Sequence, residues 1–256
     1  RDAAGCLPAL RPMSEMAGQL AIHVAAHHLQ TERGGRGILI GHVPGVPPPT
    51  VLVLGAGTVG HAAARQATAC GCHVIVVDHD LQKLARIHAD SEGRVVTALA
   101  GLERLERYTS VADVVVGAIL IPGDRAPFVV TEKMVEGMKA GSVILDISID
   151  QGGCVETSRP TTLADPTYIY QGVVHYAVPN MTASIARSAS RALATATHAY
   201  LVRLAELGLE KALAADPGLA QGIYMANGKM VNATAGSALG IPVVGLAEAL
   251  EKGNRG

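Results

Sequence analysis

The chain has 256 residues, 49% of them apolar and 17% charged, with a formal net charge of -1. That is the composition of a folded protein with a substantial core, and it lacks the basic footprint of a nucleic-acid or acidic-membrane binder. With Trp absent and Phe present once, the sequence also offers few aromatic platforms for base stacking.

The sequence opens on Arg1-Asp2-Ala3-Ala4-Gly5, with no start residue and no targeting pattern, which predicts a fragment or a processed product. Ser14 followed by Glu15 predicts a helix N-terminus, with Ser14 as N-cap, continuing to about Leu29. His23 and His27 stand at metal-ligand spacing on that helix, but no third ligand is evident, so no metal is expected. A Gly/Pro-rich connector runs from Gly34 to Pro49. Strands and helices then alternate. Strands are predicted at Val51–Leu54, Val74–Asp78, Val114–Ile121, Val143–Asp146 and Val173–Val178, and helices at His61–Ala67, Leu81–Asp90 and Thr131–Met138. The near-continuous apolar strands point to a doubly wound α/β parallel sheet covered on both faces. The longest, Val114–Ile121, is too short to span a bilayer, and no membrane partner is expected. From Thr182 the rhythm changes. A helix to Leu207 with Gly208 as its stop, a second over Leu209–Ala215 and a hairpin at Asn227-Gly228 read as helices and turns of an incomplete second domain. The expected division is 1–185 and 186–256.

Gly55-Ala56-Gly57-Thr58-Val59-Gly60 is the most informative stretch. A GxGxxG alone is weak evidence, but this one lies between a strand and a helix, and the next strand ends in Asp78. Those are the parts of a Rossmann-type site: glycines for the turn and close approach, a helix N-terminus for a pyrophosphate, and an acid for the adenosine ribose. A carboxylate there repels a 2′-phosphate, so the expected cofactor is NAD. Lys83 falls near the adenine side or is a solvated helix lysine. Asp150, after Asp146-Ile147-Ser148-Ile149 and before Gln151-Gly152-Gly153, lies beyond a strand end where ligands gather. Its residue type suits contact with an ammonium or a water, and a turn-forming role is equally open; Asp146 is nearer the strand body, where a structural role is open as well. His175 reads as a packed histidine. Cys6, Cys70, Cys72 and Cys154 show neither a disulfide nor a zinc pattern, and plain thiols fit a reducing, cytoplasmic compartment.

Taken together, Pro12-Met13-Ser14-Glu15-Met16-Ala17-Gly18, Gly34-Gly35-Arg36-Gly37, Val43-Pro44-Gly45-Val46-Pro47-Pro48 and the glycine turn resemble the alanine dehydrogenase and nicotinamide nucleotide transhydrogenase family. So do Gly117-Ala118-Ile119-Leu120-Ile121-Pro122-Gly123, Asp146–Gly153, Ser158-Arg159-Pro160-Thr161-Thr162 and Asn180-Met181. The resemblance implies an NAD-dependent, reversible oxidative deamination of L-alanine to pyruvate and ammonia, in a homo-oligomer that is a hexamer in the family. It implies that Ser14 and Gly55, Gly57, Thr58, Val59 and Gly60 serve the phosphates, and that Asp78 and Lys83 serve the adenosine. Ile119 and Leu120 would pack on the cofactor, Ile147, Ser148, Ile149 and Asp150 would border the nicotinamide, and Arg159 with Val178, Pro179, Asn180 and Met181 would complete the site. Asp150 matches the family's catalytic aspartate. Ala100, Pro179 and Thr182 depart from the residues common in similar enzymes. The arginine, lysine and histidine that such enzymes carry in an N-terminal region have no counterpart here, so the 256 residues are expected to bind NAD with little activity of their own, and apolar surface is expected around Ala192–Leu207. Two other readings remain open: a transhydrogenase NAD-binding component and a non-catalytic NAD module.

Overall fold

The computed structural model describes residues 7–120 and 127–251. Within it the chain forms two compact units, Pro12–Ser190 and a smaller one of residues 7–11 with 191–251. In the larger unit, α1 (Arg11–His28) precedes a seven-stranded sheet. Its strands are β1 (Thr50–Leu54), β2 (His73–Asp78), β3 (Val96–Leu99), β4 (Val114–Gly117), β5 (Val143–Asp146), β6 (Thr167–Tyr170) and β7 (Val173–Tyr176). The order is β3-β2-β1-β4-β5-β7-β6, parallel throughout except for antiparallel β6 at one edge. Between the strands lie α2 (Thr58–Ala69), α3 (Leu81–Asp90), α4 (Leu102–Val111) and α5 (Glu132–Glu136). The order reverses between β1 and β4, and the crevice outside the carboxyl ends of such strands is where ligands of open α/β sheets bind.

The strand sequences explain their burial. Val51, Val53, Val74, Val76, Val114, Val116, Val143 and Leu145 belong to one core with α1, α2 and α3. Their neighbours Leu52, Leu54, Ile75, Val77, Val115 and Ile144 belong to a second core with Leu105 of α4 and Met134 and Val135 of α5. This is the period-two alternation of a strand buried on both faces. Each fully buried Val, Leu or Ile contributes roughly 1.5–3 kcal/mol, so the sheet is the rigid part of the unit. At the sheet's amino edge, buried Asp113 accepts hydrogen bonds from the Thr50 amide (2.9 Å) and Lys139 Nζ (3.0 Å), and Arg36 Nε lies 3.3 Å away. Arg36 thereby anchors the glycine-rich connector on the side of the sheet away from the crevice.

Several expectations need correction. Ser14 is not an N-cap: α1 begins at Arg11, and Pro12 sits in its first turn, where a missing N–H is tolerated. β4 ends at Gly117 instead of Ile121, because after the Ala118 amide bonds the Leu54 carbonyl the Ile119 amide turns to the Ser148 hydroxyl. Ile121, Pro122 and Gly123 lie outside the described residues, as does Cys6. The helix expected from Thr182 starts at Ala186, after a 3-10 turn over Met181–Ile185.

In the smaller unit the rest of α6 (Ala186–Ala215) does not stop at Gly208; that glycine (φ 71°, ψ 169°) breaks it into two helices. Asp216 then caps α7 (Pro217–Gln221) through the Leu219 amide. Asn227 and Gly228, both at positive φ, make the hairpin turn between β8 (Met225–Ala226) and β9 (Lys229–Met230). α8 (Ala233–Leu239) and α9 (Leu246–Leu250) follow. Leu193, Leu201 and Leu207 of α6 are exposed. Among the described residues no helix is long and apolar enough to cross a membrane.

Candidate cofactor site

The three motif glycines do different work at the β1–α2 turn. Gly55 has φ 103°, and a Cβ there would lie 2.6 Å from the Ala118 carbonyl oxygen, so the turn backs directly onto the end of β4. A Cβ on Gly60 would lie 1.8 Å from the Gly55 carbonyl oxygen, which fixes the approach of helix to strand. Gly57 is the N-cap of α2, without a side-chain capping bond, and nothing stands within 4 Å of where its Cβ would be. The first amides of α2 have no acceptor inside the helix and carry its positive end. Open space over Gly57, free amides and exposed Thr58 fit a bound pyrophosphate. α1 braces this end from behind, since a Cβ on Gly18 would meet the Val59 carbonyl oxygen at 2.2 Å. Ser14, half-buried, is one turn earlier on the same face of α1.

At the end of β2, buried Asp78 closes the turn. Its Oδ2 accepts the Ala56 amide at 2.6 Å, while Oδ1 accepts the Asp80 amide at 2.9 Å and lies 3.3 Å from His79 Nδ1. A carboxylate oxygen takes two donors, so Oδ2 keeps capacity for a ribose hydroxyl. Asp80 caps α3 by accepting the Gln82 and Lys83 amides, and the Lys83 amide bond is the main cause holding its carboxyl below the usual carboxylate range. Lys83 Nζ is 3.8 Å from Asp80 Oδ2, which places this lysine at the start of α3.

The carboxyl ends of β4, β5 and β7 form the other half. Asp146, 2% exposed, pins both ends of the following loop: it accepts the Ser148 amide (3.2 Å), the Cys154 amide (3.0 Å) and the Val155 amide (3.1 Å). Burial pushes its carboxyl above the usual range, opposed by those last two amides. Gly153 permits the closure, since at φ 82° a Cβ there would meet Asp146 Oδ2 at 2.8 Å. Buried Ser148 accepts the Ile119 amide at 2.9 Å, so the loops after β4 and β5 are tied together. Ile147 and Ile119 are half-buried, Ile149 is buried and Leu120 is exposed. Asp150, at the exposed crest, accepts the Asn180 amide at 3.1 Å. Val178 and Met181 are buried on either side of exposed Pro179 and Asn180. The loops carrying Asp150 and Asn180, far apart in sequence, thus meet through one hydrogen bond.

The Arg159 guanidinium lies 4.1 Å above the Tyr168 ring. The Tyr168 hydroxyl accepts the Arg159 amide (2.9 Å) and donates to the Thr157 carbonyl (2.7 Å). His175 stacks on Tyr168 and reaches the Thr157 hydroxyl at 2.8 Å, the packed histidine expected from its strand. His23 and His27 are both exposed on α1, and the described residues contain no group of three or more His, Cys, Asp or Glu arranged to hold a metal. Sequence reasoning did not reveal Asp146 as the loop's pin, His79 beside Asp78, or Thr182, whose hydroxyl meets the Asn180 side chain at 3.2 Å. An aspartate at a strand end before a glycine pair was the available signal for the first.

Residues 21–233 match a family model described as alanine dehydrogenase/PNT, C-terminal domain. The chain belongs to this family. Its matched region is the family's NAD-binding domain. Over 94% of its length the chain is 44% identical to an alanine dehydrogenase of Halomonas elongata, and it spans 65% of that protein. A solved L-alanine dehydrogenase superposes with a TM-score of 0.88 at 41% identity, covering 93% of this chain and 66% of the other. The transhydrogenase of Sinorhizobium meliloti superposes with a TM-score of 0.67 at 25% identity, covering 78% and 56%.

Proposed function

We propose that these residues form the NAD-binding part of an L-alanine dehydrogenase, with 1–185 as the cofactor domain and 186–256 as part of the substrate domain. The observation that carries the reading is the contrast between the two solved neighbours: 41% identity and a TM-score of 0.88 against 25% and 0.67. The reaction takes L-alanine, NAD and water to pyruvate, ammonia, NADH and a proton, and runs in reverse as reductive amination. The nicotinamide supplies the hydride acceptor. The turn at Gly55–Gly60 would hold the phosphates and Asp78 the ribose, at the carboxyl ends of the strands where ligands of such sheets bind. Asp150, exposed where the loops after β5 and β7 meet, would assist at the ammonium or the water that releases it, the main acid–base role belonging to the histidine of the family's N-terminal region. Arg159 with Val178, Pro179, Asn180 and Met181 would complete the cofactor region. L-alanine, pyruvate and ammonia are the small-molecule partners, in a cytoplasmic homo-oligomer, hexameric as the family resemblance implies.

The test is reduction of NAD by the intact protein with L-alanine, followed at 340 nm, beside an assay of hydride exchange between NADH and an oxidised nicotinamide analogue. Alanine-dependent reduction that falls on Asp150→Asn supports the proposal. Hydride exchange without alanine turnover would instead establish the transhydrogenase reading, and NADH binding with neither activity would leave a non-catalytic module.

A further inference from the structure

We propose that Tyr168 is a positioning residue that holds the Arg159 guanidinium ready for an anionic or carbonyl oxygen of the cofactor. The inference rests on the reading that Arg159 belongs to the cofactor region.

An exposed arginine has a long stem and ordinarily samples many rotamers. Arg159 is exposed, yet Tyr168 engages both its backbone and its side chain. The Tyr168 hydroxyl accepts the Arg159 amide at 2.9 Å and donates to the Thr157 carbonyl at 2.7 Å. It thereby bridges residues 157–159, while the ring carries the guanidinium 4.1 Å from its centre, within cation–π range. That contact uses the charge and spends none of the N–H donors. Among the described residues the Arg159 guanidinium has no ion-pair partner. Its donors are therefore left for an acceptor from outside the chain.

The sheet fixes Tyr168 in turn. On β6 it stands directly opposite His175 of β7, and the two rings stack at 5.0 Å with 18° between their planes. His175 Nδ1 lies 3.0 Å from the Val173 carbonyl, which can only accept, so this nitrogen carries the proton. In the neutral ring Nε2 then accepts from the Thr157 hydroxyl at 2.8 Å. Thr157 and Arg159 are thus both attached to one cross-strand pair. The same segment reaches the end of β7. The Thr161 amide donates to the Ala177 carbonyl at 2.9 Å, and its hydroxyl accepts the Ala177 amide at 3.3 Å. Ala177 directly precedes the Val178–Met181 stretch, so Arg159 lies two residues from a link to that loop. A guanidinium already held there loses less freedom when the cofactor binds, and affinity gains accordingly.

In the intact protein, titration of NADH fluorescence should show Y168L binding about threefold to fivefold more weakly, the scale of one exposed cation–π contact. R159A should lose at least as much, and adding Y168L to R159A should weaken binding no further, because Tyr168 acts through Arg159. Y168F keeps the ring without the hydroxyl; its urea midpoint should fall while its NADH affinity stays within about twofold of wild type. A Y168L loss that persists undiminished in the R159A background, or an equal loss in Y168F, would make Tyr168 merely structural and overturn the proposal. If R159A weakens binding and Y168L does not, the proposal fails alone. If R159A binds NADH like wild type, the cofactor role of Arg159 fails and the proposal with it. A second readout needs no variant of Tyr168: its ring current should place the Arg159 side-chain proton resonances, assigned by their disappearance in R159A, upfield of their positions in free arginine. Unshifted resonances would overturn the proposal even if Y168L failed to fold.

Discussion

The motif glycines Gly57 and Gly60 are three residues apart, yet replacing each by alanine should have opposite consequences. At Gly57 the backbone is extended (φ -74°, ψ -168°), which alanine adopts freely, and no atom stands within 4 Å of the new methyl. Reduced freedom of the unfolded chain stabilises by about 0.4–1 kcal/mol, and the poorer N-cap propensity of alanine takes back a similar amount. The folded protein should therefore change by less than about 0.5 kcal/mol. The same methyl projects into the space where the phosphates approach the amides of α2, so affinity for NADH should fall tenfold or more, about 1.4 kcal/mol.

At Gly60 the methyl would lie 1.8 Å from the Gly55 carbonyl oxygen and 3.2 Å from a Val53 methyl. Backbone must move there, and overpacking of this kind costs about 1–3 kcal/mol, sometimes more. At this chain length that lowers Tm by roughly 2–4 °C per kcal/mol. Urea unfolding gives the stabilities, and titration of NADH fluorescence gives the affinities. The assignment of roles fails if G57A binds NADH as tightly as wild type, or if G60A unfolds at the wild-type urea concentration.

Three further outcomes follow from buried groups. Asp146→Asn puts an NH₂ or a single oxygen against the three backbone amides, and should lower stability by about 1–3 kcal/mol and weaken protection of the Cys154 and Val155 amides in hydrogen exchange. Because burial raises the Asp146 pKa, the folded state binds the proton more tightly than the unfolded chain. Its contribution is complete below the ordinary carboxylate range and declines as pH rises through the raised value, so wild type should lose stability relative to D146N across that window. His175 has the opposite sign: burial lowers its pKa, the unfolded chain binds the proton more tightly, and stability should fall as pH drops below about 6.5. Urea midpoints at pH 7 and pH 5 should converge in His175→Gln; an undiminished acid loss would refute the assignment. Burial pushes the Cys72 thiol up to about 11 and Cys154 well above its usual range. At pH 8 iodoacetamide should therefore modify both slowly until urea is added, as peptide mass spectrometry would show.

The elements legible in the sequence are those whose signal is local. Leu81–Asp90 has its apolar residues at helical spacing behind an Asp cap, and Val143–Asp146 is an uninterrupted apolar run; both ends of each coincide with the structure. β3 and α4 were missed because their apolar pattern is thin: β3 is an edge strand with Val96 and Leu99 exposed, and α4 buries only Leu105 and Thr109. β6 was missed for a related reason, since its pattern is half-exposed and it reverses direction, which no βαβ rhythm predicts.

The site divides along the same line. The glycine turn and Asp78 belong to one short βαβ unit, so their juxtaposition follows from local rules, and the 2.6 Å bond from the Ala56 amide to Asp78 is its expression. The reacting end has no such unit. Asp150 and Asn180 meet only because β5 pairs with β7, leaving β6 outside, and that pairing is decided by the whole sheet. Asp146 and Ser148 act through contacts of this kind, on backbone amides brought in by the loops around them. A sequence pattern records where a residue stands along the chain. The hydroxyl of Ser148 acquires a role only once the fold brings the Ile119 amide onto it, and so the cofactor's phosphate end can be read from the motif while the assembly of its reacting end requires the fold.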